Sequence, residues 1–242
     1  MKKKIFYLTR FFNGLHQSFL DGIWKPDGVP TIYKMIEGLD RSKFDVQFMF
    51  SNYNLNTSPK FEKFYTEYNF KNLNSKFHIL SVNSQSYLFR KIKNFFFITK
   101  KFFFIINFVR QFKPDIVYID RSHVIEGAIL KYIFNCKVFV RVMGVTVYSY
   151  NDILSGKSLY SKLSRWSFKR NFTHILFSQD GGDIQNFKEK YLVENVSSSI
   201  FFNGVKKKKS KVNYFQKINK KYHNKIKILF VSRLENNKNC DL

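Results

Sequence analysis

At 242 residues and 44% hydrophobic, the chain is long enough for one large domain, or one and part of a second, with a sizeable core. A net charge of +25 ordinarily points to nucleic acid or an anionic membrane, but these lysines are scattered from Lys2 to Lys238 and their longest compact run is 206–209, a pattern that fits A/T-biased coding better than a basic patch. Two cysteines, Cys136 and Cys240, exclude a disulfide framework, and the five histidines show no metal-ligand spacing, so a reducing compartment and no metal are expected.

Residues 4–9 form a strand candidate, and the segment 10–28, punctuated by Gly14, Gly22 and Gly28, leaves it as a long loop. Pro30 sits where a first helical turn tolerates it, and Ile32, Met35, Ile36 and Leu39 follow at helical spacing. Strand, glycine-bearing loop and helix open a doubly wound unit. The loop matches neither Gly-x-Gly-x-x-Gly nor a P-loop, so phosphate binding is not read from it. Residues 45–50 and 77–82 are the next strands, with a polar stretch and a helix near 60–67 between them. Residues 86–112 predict a long helix ended by Lys113-Pro114, because the residue before proline disfavours the α region.

Residues 115–120 then form a continuous apolar strand of the kind buried in parallel sheets. A helix over 124–134, a strand over 137–142, a helix over 157–169 and a strand over 174–178 follow. The turn 179–183 leads into another helix, and the strand 199–202 delivers Asn203-Gly204. Strands alternating with helices imply an α/β fold, a Rossmann-like parallel sheet with right-handed crossovers.

In such a sheet the residues just past the strand ends converge on one crevice. They are Arg10, Asp120, Arg121, His123, Arg141, Gly144, Ser178, Asp180 and Asn203, joined by Gly28 at the end of the first loop. That set suits the binding of an acceptor. Each member also fits a plain role: Asp120 or Ser178 capping a helix, Gly144 a left-handed turn, Arg141 a satisfied ion pair, His123 a helix start.

On the helix 86–112, Arg90, Asn94, Lys101 and Gln111 share one stripe with Phe97 and Phe104. With Lys100 and Lys101 interrupting it, this helix is expected to lie on an anionic membrane surface rather than cross the bilayer, the alternative being that both rings are core. Asn56, Asn171 and Asn195 head glycosylation patterns, but the first apolar run ends at Leu8, too short for a signal peptide, so they are read as chance.

The last stretch carries the sharpest chemistry. Residues 227–232 read as a short buried strand, Arg233 follows at once, Lys238 comes five residues later, and Glu235, Asn236 and Asn237 make a polar turn between them. A guanidinium fork and an ammonium on one turn at a strand end suit a diphosphate, and a solvated turn is the bland alternative.

Ile228-Leu-Phe-Val-Ser-Arg-Leu-Glu-Asn-Asn-Lys238 with Asp241-Leu242 resembles the strand and turn that open the second domain of family 4-like glycosyltransferases of the GT-B fold. Asn203-Gly204-Val205 resembles the Asn-Gly-Val-Asp that closes their first domain, Asp27-Gly-Val-Pro-Thr31 their Gly-Gly-Val segment, and Lys113-Pro-Asp-Ile-Val-Tyr118 their fourth strand. Lys206 stands where that family usually has Asp, Ser232 and Asn239 where it has Gly, and Met143 where many relatives have a His.

The resemblance implies an N-terminal acceptor-side domain over 1–203, a basic linker over 204–226 and the start of a truncated donor-binding domain over 227–242. It also implies that Arg233 and Lys238 bind the diphosphate of a nucleotide-sugar donor. The acceptor would be a glycan or a lipid-linked molecule, in cell-surface polysaccharide synthesis, and the protein is expected in the cytoplasm or at the inner face of the membrane. The 242 residues then look like an incomplete portion that does not transfer sugar alone. No Asp-x-Asp supports the metal-dependent GT-A class, and no catalytic residue is assigned. The competing expectation is a basic Rossmann-like module that grips nucleic acid without catalysis. It lacks an RNP, helix-turn-helix or zinc signature, so no nucleic acid is expected.

Overall fold

The computed structural model describes residues 2–53, 63–81, 90–134, 136–143, 156–179, 184–194 and 196–202, all belonging to the unit Met1–Gly204. The strands are β1 Lys4–Arg10, β2 Asp45–Asn52, β3 Tyr65–Tyr68, β4 Lys76–Ser81, β5 Ile116–Asp120, β6 Lys137–Met143, β7 His174–Gln179 and β8 Ser198–Phe202. The helices are α1 His16–Asp21, α2 Pro30–Asp40, α3 Arg90–Phe112, α4 Val124–Phe134, α5 Leu159–Phe168 and α6 Ile184–Tyr191. One sheet holds all eight strands in the order β3-β4-β2-β1-β5-β6-β7-β8. Every neighbouring pair is parallel except β3 against β4.

Buried on both faces, the central strands are nearly continuous apolar runs, and alternate residues feed opposite cores. Phe6 and Leu8 of β1 join Ile119, Val140 and Phe177 beneath α3, α4, α5 and α6. Ile5 and Tyr7 point the other way, to Phe48, Phe50, Phe77 and Tyr118 beneath α1 and α2. Aromatic side chains fill this second core: Phe19 of α1 meets Phe50, Tyr68 and Phe70 edge to face. Burying one such ring stabilises the fold by about 1.5–3 kcal/mol, which is how a chain with a single alanine still packs.

Local chemistry sets the helix ends. Pro30 occupies the first turn of α2. Ser158 caps α5, its hydroxyl accepting from the Ser161 amide at 3.1 Å. After α3, Lys113 takes a left-handed φ of 52° and its amide donates to the Val109 carbonyl at 2.9 Å before Pro114 ends the run.

Three expectations are corrected. The segment 10–28 is not simply a loop: a 3-10 turn, Asn13–Leu15, and α1 lie within it because Leu15 and Phe19 have a core to enter. The helix expected near 60–67 is instead β3, an antiparallel edge strand, since Tyr65, Thr66, Glu67 and Tyr68 find partners along β4; residues 60–62 lie outside the described ones.

The third correction concerns α3. Its supposed wet stripe is the packed one: Phe97 is 6% exposed against Tyr53 and Phe64, and Phe104 is half-buried on Tyr65. Lys101 is buried on the same stripe because Glu126 of α4 meets its ammonium there. Among the described residues no helix is long and apolar enough to cross a membrane.

Candidate functional site

The chain leaves β1 in one direction for β2 and fills the other side of β1 with β5, so the strand order switches between β1 and β5. Ligands of open α/β sheets bind outside the carboxyl ends of the strands at such a point. Thr9 and Arg10 end β1 there, and Asp120 ends β5. The Thr9 hydroxyl donates to Asp120 Oδ2 at 2.6 Å and the Arg10 amide donates to the same oxygen at 3.1 Å. The Ser122 amide donates to Asp120 Oδ1 at 3.0 Å, and the Ser122 hydroxyl donates to it as well. Both carboxylate oxygens are thus engaged by the protein, and Asp120 fixes the floor of the crevice.

Arg141 stands beside it on β6, in register with Asp120. One guanidinium nitrogen donates to the Thr31 carbonyl at 2.9 Å, and two others reach Ser178 Oγ at 3.3 and 3.4 Å. These partners are neutral, and among the described residues no carboxylate forms an ion pair with Arg141. A half-buried cation held by neutral groups keeps its charge available for an anion. Behind it Tyr118 stacks on Tyr7, with centroids 5.0 Å apart. Burial pushes the Tyr118 hydroxyl up to about 12, the Arg141 guanidinium working against it, and burial raises Tyr7 well above its ordinary value. Both phenols remain neutral donors at ordinary pH.

The loop from β1 brings Gly28 and Thr31 to this place. Its two halves touch: the Asp27 amide donates to the Gly14 carbonyl at 2.9 Å, and a side chain at Gly14 would overlap the Asp27 carbonyl. Gly28 takes φ +90°, which favours glycine, just before the first turn of α2.

His123 lies under the floor rather than in the crevice. It ends the 3-10 turn Arg121–His123 and is fully buried. Its Nε2 shares a 2.8 Å hydrogen bond with Ser51 Oγ, and its Nδ1 stands 3.7 Å from Glu126 Oε1, an electrostatic contact beyond hydrogen-bond reach. Glu126 meets the Lys101 ammonium, which also donates to the Tyr53 hydroxyl at 2.6 Å. Burial alone would raise Glu126, but Lys101 and then His123 outweigh it and hold the carboxyl below the usual range. Ser51, Tyr53 and Glu126 escaped the sequence reading, which placed Lys101 on the stripe facing a membrane. The one available signal was a lone acid within the apolar run of α4.

Asp120, Arg141 and Ser178 come together, with Gly28 and Thr31 at the rim. The side chain of Arg121 is outside the described residues, as are Gly144, Asp180, Asn203, Arg233 and Lys238. Among the described residues no group of His, Cys, Asp and Glu could hold a metal ion. A cleft of about 740 Å³ opens among Lys4, Asp40, Asp45 and Lys76, but it lies at the amino ends of the strands, away from the switch point.

No family model and no curated protein matches the chain. Solved structures do match it. Sucrose-phosphate synthase from Thermosynechococcus elongatus is 11% identical with a TM-score of 0.55, over 84% of this chain and 49% of that one. UDP-GlcNAc 2-epimerase from Methanocaldococcus jannaschii is 15% identical with a TM-score of 0.42, over 82% and 45%. UGT73P12 from Glycyrrhiza uralensis, complexed with glycyrrhetinic acid 3-O-monoglucuronide, is 11% identical with a TM-score of 0.40, over 82% and 48%. The chain spans about half the length of the solved structures it matches. By its fold, the described part of the chain is a Rossmann-like α/β half of the GT-B type.

Proposed function

We propose that the protein transfers a sugar from a nucleotide-sugar donor to a glycan or lipid-linked acceptor, in cell-surface polysaccharide synthesis at the cytoplasmic face of the membrane. The observation that carries this reading is the succession of a GT-B-type Rossmann-like unit and, after its last strand, the sequence Arg233-Leu-Glu-Asn-Asn-Lys238. In this reading 1–203 is the acceptor-side domain, 204–226 a linker and 227–242 the opening of the donor domain. Arg233 and Lys238 neutralise the donor diphosphate, a group whose charge grows as the sugar leaves, so their contribution is larger in the transition state than in the bound substrate. The crevice of Gly28, Asp120, Arg141 and Ser178 receives the acceptor, with Asp120 as a positioning residue and Arg141 as the group that meets negative charge.

The test uses the full reading frame of the gene, incubated with a panel of radiolabelled nucleotide sugars and membrane extract. Label should move into polysaccharide or lipid, and Arg233→Ala should cost roughly 2–4 kcal/mol in transfer. Wild-type transfer by that variant removes the clamp. Steeply salt-dependent oligonucleotide binding without affinity for any nucleotide sugar replaces the reading with a nucleic-acid module.

A further inference from the structure

Helix α5 is turned inside out. Its inward face carries Ser161, Ser164 and Ser167, all fully buried, beside Phe168. Its outward face carries Leu159 at 73% exposed, Leu163 at 40% and Trp166 at 37%, at spacings of four and three that put them on one stripe. A surface helix of a soluble domain normally places such residues inward and its serines outward. Among the described residues, folding therefore leaves large apolar groups in contact with water.

Charge identifies the occupant. Lys162, Lys169 and Arg170 are exposed around the stripe, and residues 156–170 contain no acid. The Arg170 guanidinium lies 4.6 Å from the Trp166 ring centroid, an arrangement with an apolar ring and a cation side by side. In the same helix layer α3 repeats the composition: Phe103 is 61% exposed, Lys100 and Arg110 are exposed, and Arg90–Phe112 has no acid. Apolar rings ringed by uncompensated cations complement acyl chains beneath anionic headgroups.

We propose that the outward face of α5 docks on an anionic lipid bilayer. Leu159, Leu163 and Trp166 enter the interfacial zone, and Lys162, Lys169 and Arg170 meet the headgroups. The surface differs from the Phe97–Phe104 stripe, which is packed inside. It leans on the function proposed above only for the lipid-linked acceptor that docking would bring near, since docking itself needs neither donor nor transfer.

Co-sedimentation of the full chain with phosphatidylglycerol-containing and pure phosphatidylcholine vesicles tests it. Binding should be at least about tenfold tighter to the anionic vesicles and weaken with salt. Leu163→Ser with Trp166→Ser should lower it by about tenfold or more, with circular dichroism showing the fold retained. Trp166 emission should shift to the blue on vesicle addition, the other tryptophan, Trp24, being already buried. Absence of vesicle binding, or binding and emission unaltered by the double substitution, overturns the proposal. So does sedimentation equilibrium showing a dimer that the double variant abolishes while vesicles have no effect. Vesicle binding without sugar transfer sustains this proposal and counts against the function alone.

Discussion

The Thr9 hydroxyl donates to the Asp120 carboxylate across 2.6 Å, tying together two strand ends that lie 111 residues apart in sequence. Both residues are buried, so the bond has no water to replace it. Thr9→Val should destabilise the fold by about 1–2 kcal/mol, and Asp120→Ala by about 2–4 kcal/mol because it also strands the Arg10 and Ser122 donors. Urea unfolding measures both. Equal losses for the two variants would show that Asp120 does not organise the crevice floor.

The Lys101–Glu126 pair is buried between α3 and α4. Glu126→Gln leaves an uncompensated ammonium and should cost about 3–5 kcal/mol, whereas Lys101→Met with Glu126→Leu should cost less than that single change. Because the folded carboxyl titrates below its ordinary value of 4.5, its contribution is full above that pH and is lost as pH falls below it. A double-mutant cycle in denaturant, repeated at acid pH, reads both effects. Additive losses would rule out coupling.

His78 sets a second pH window. It shares hydrogen bonds with the Tyr65 hydroxyl at 3.0 Å and Gln47 at 3.1 Å, and Glu67 and Lys76 are the charges that act on it. Burial lowers it from 6.5 to about 4, so between those values the unfolded chain binds a proton that the folded chain does not. Stability should fall as pH drops from 6.5 towards 4, by on the order of 3 kcal/mol at most. His78→Gln should flatten that part of the stability profile, and an unchanged slope would place the titration elsewhere.

Arg141→Gln should lower sugar transfer by the full-length protein more than about tenfold while moving the thermal midpoint by only a few degrees, since the partners it loses, the Thr31 carbonyl and the Ser178 hydroxyl, are neutral. Arg141→Lys keeps the charge and loses the fork, so partial recovery is expected. Full activity in Arg141→Gln would remove this residue from the acceptor side.

Most of the sheet was legible because β1, β2, β5, β6 and β7 are apolar runs bracketed by Pro, Gly or charged residues, which fit a parallel sheet and little else. β3 was not, because Tyr65, Thr66, Glu67 and Tyr68 have no apolar periodicity and become a strand only by pairing with β4. Lys101 misled in a different way. A lysine within an amphipathic helix marks the wet stripe unless a buried acid awaits it, and Glu126 comes from another helix. At the crevice, the types and positions of Asp120, Arg141 and Ser178 were legible, but not that Asp120 would be consumed by the fold and Arg141 left with its charge.

The position of β1 between β2 and β5 has a consequence for synthesis. β2 begins at Asp45 and closes one edge of β1 early, while β5 begins only at Ile116. At roughly 5–20 residues per second the other edge stays open for roughly 5–20 seconds after β1 leaves the ribosome. For that interval Ile5, Phe6, Tyr7 and Leu8 present unpaired backbone groups and bare apolar side chains, a template for pairing with a neighbouring nascent chain. Chains stalled with residues 1–114 clear of the ribosome should therefore crosslink to a ribosome-bound holdase, and chains stalled with 1–143 clear should be released from it.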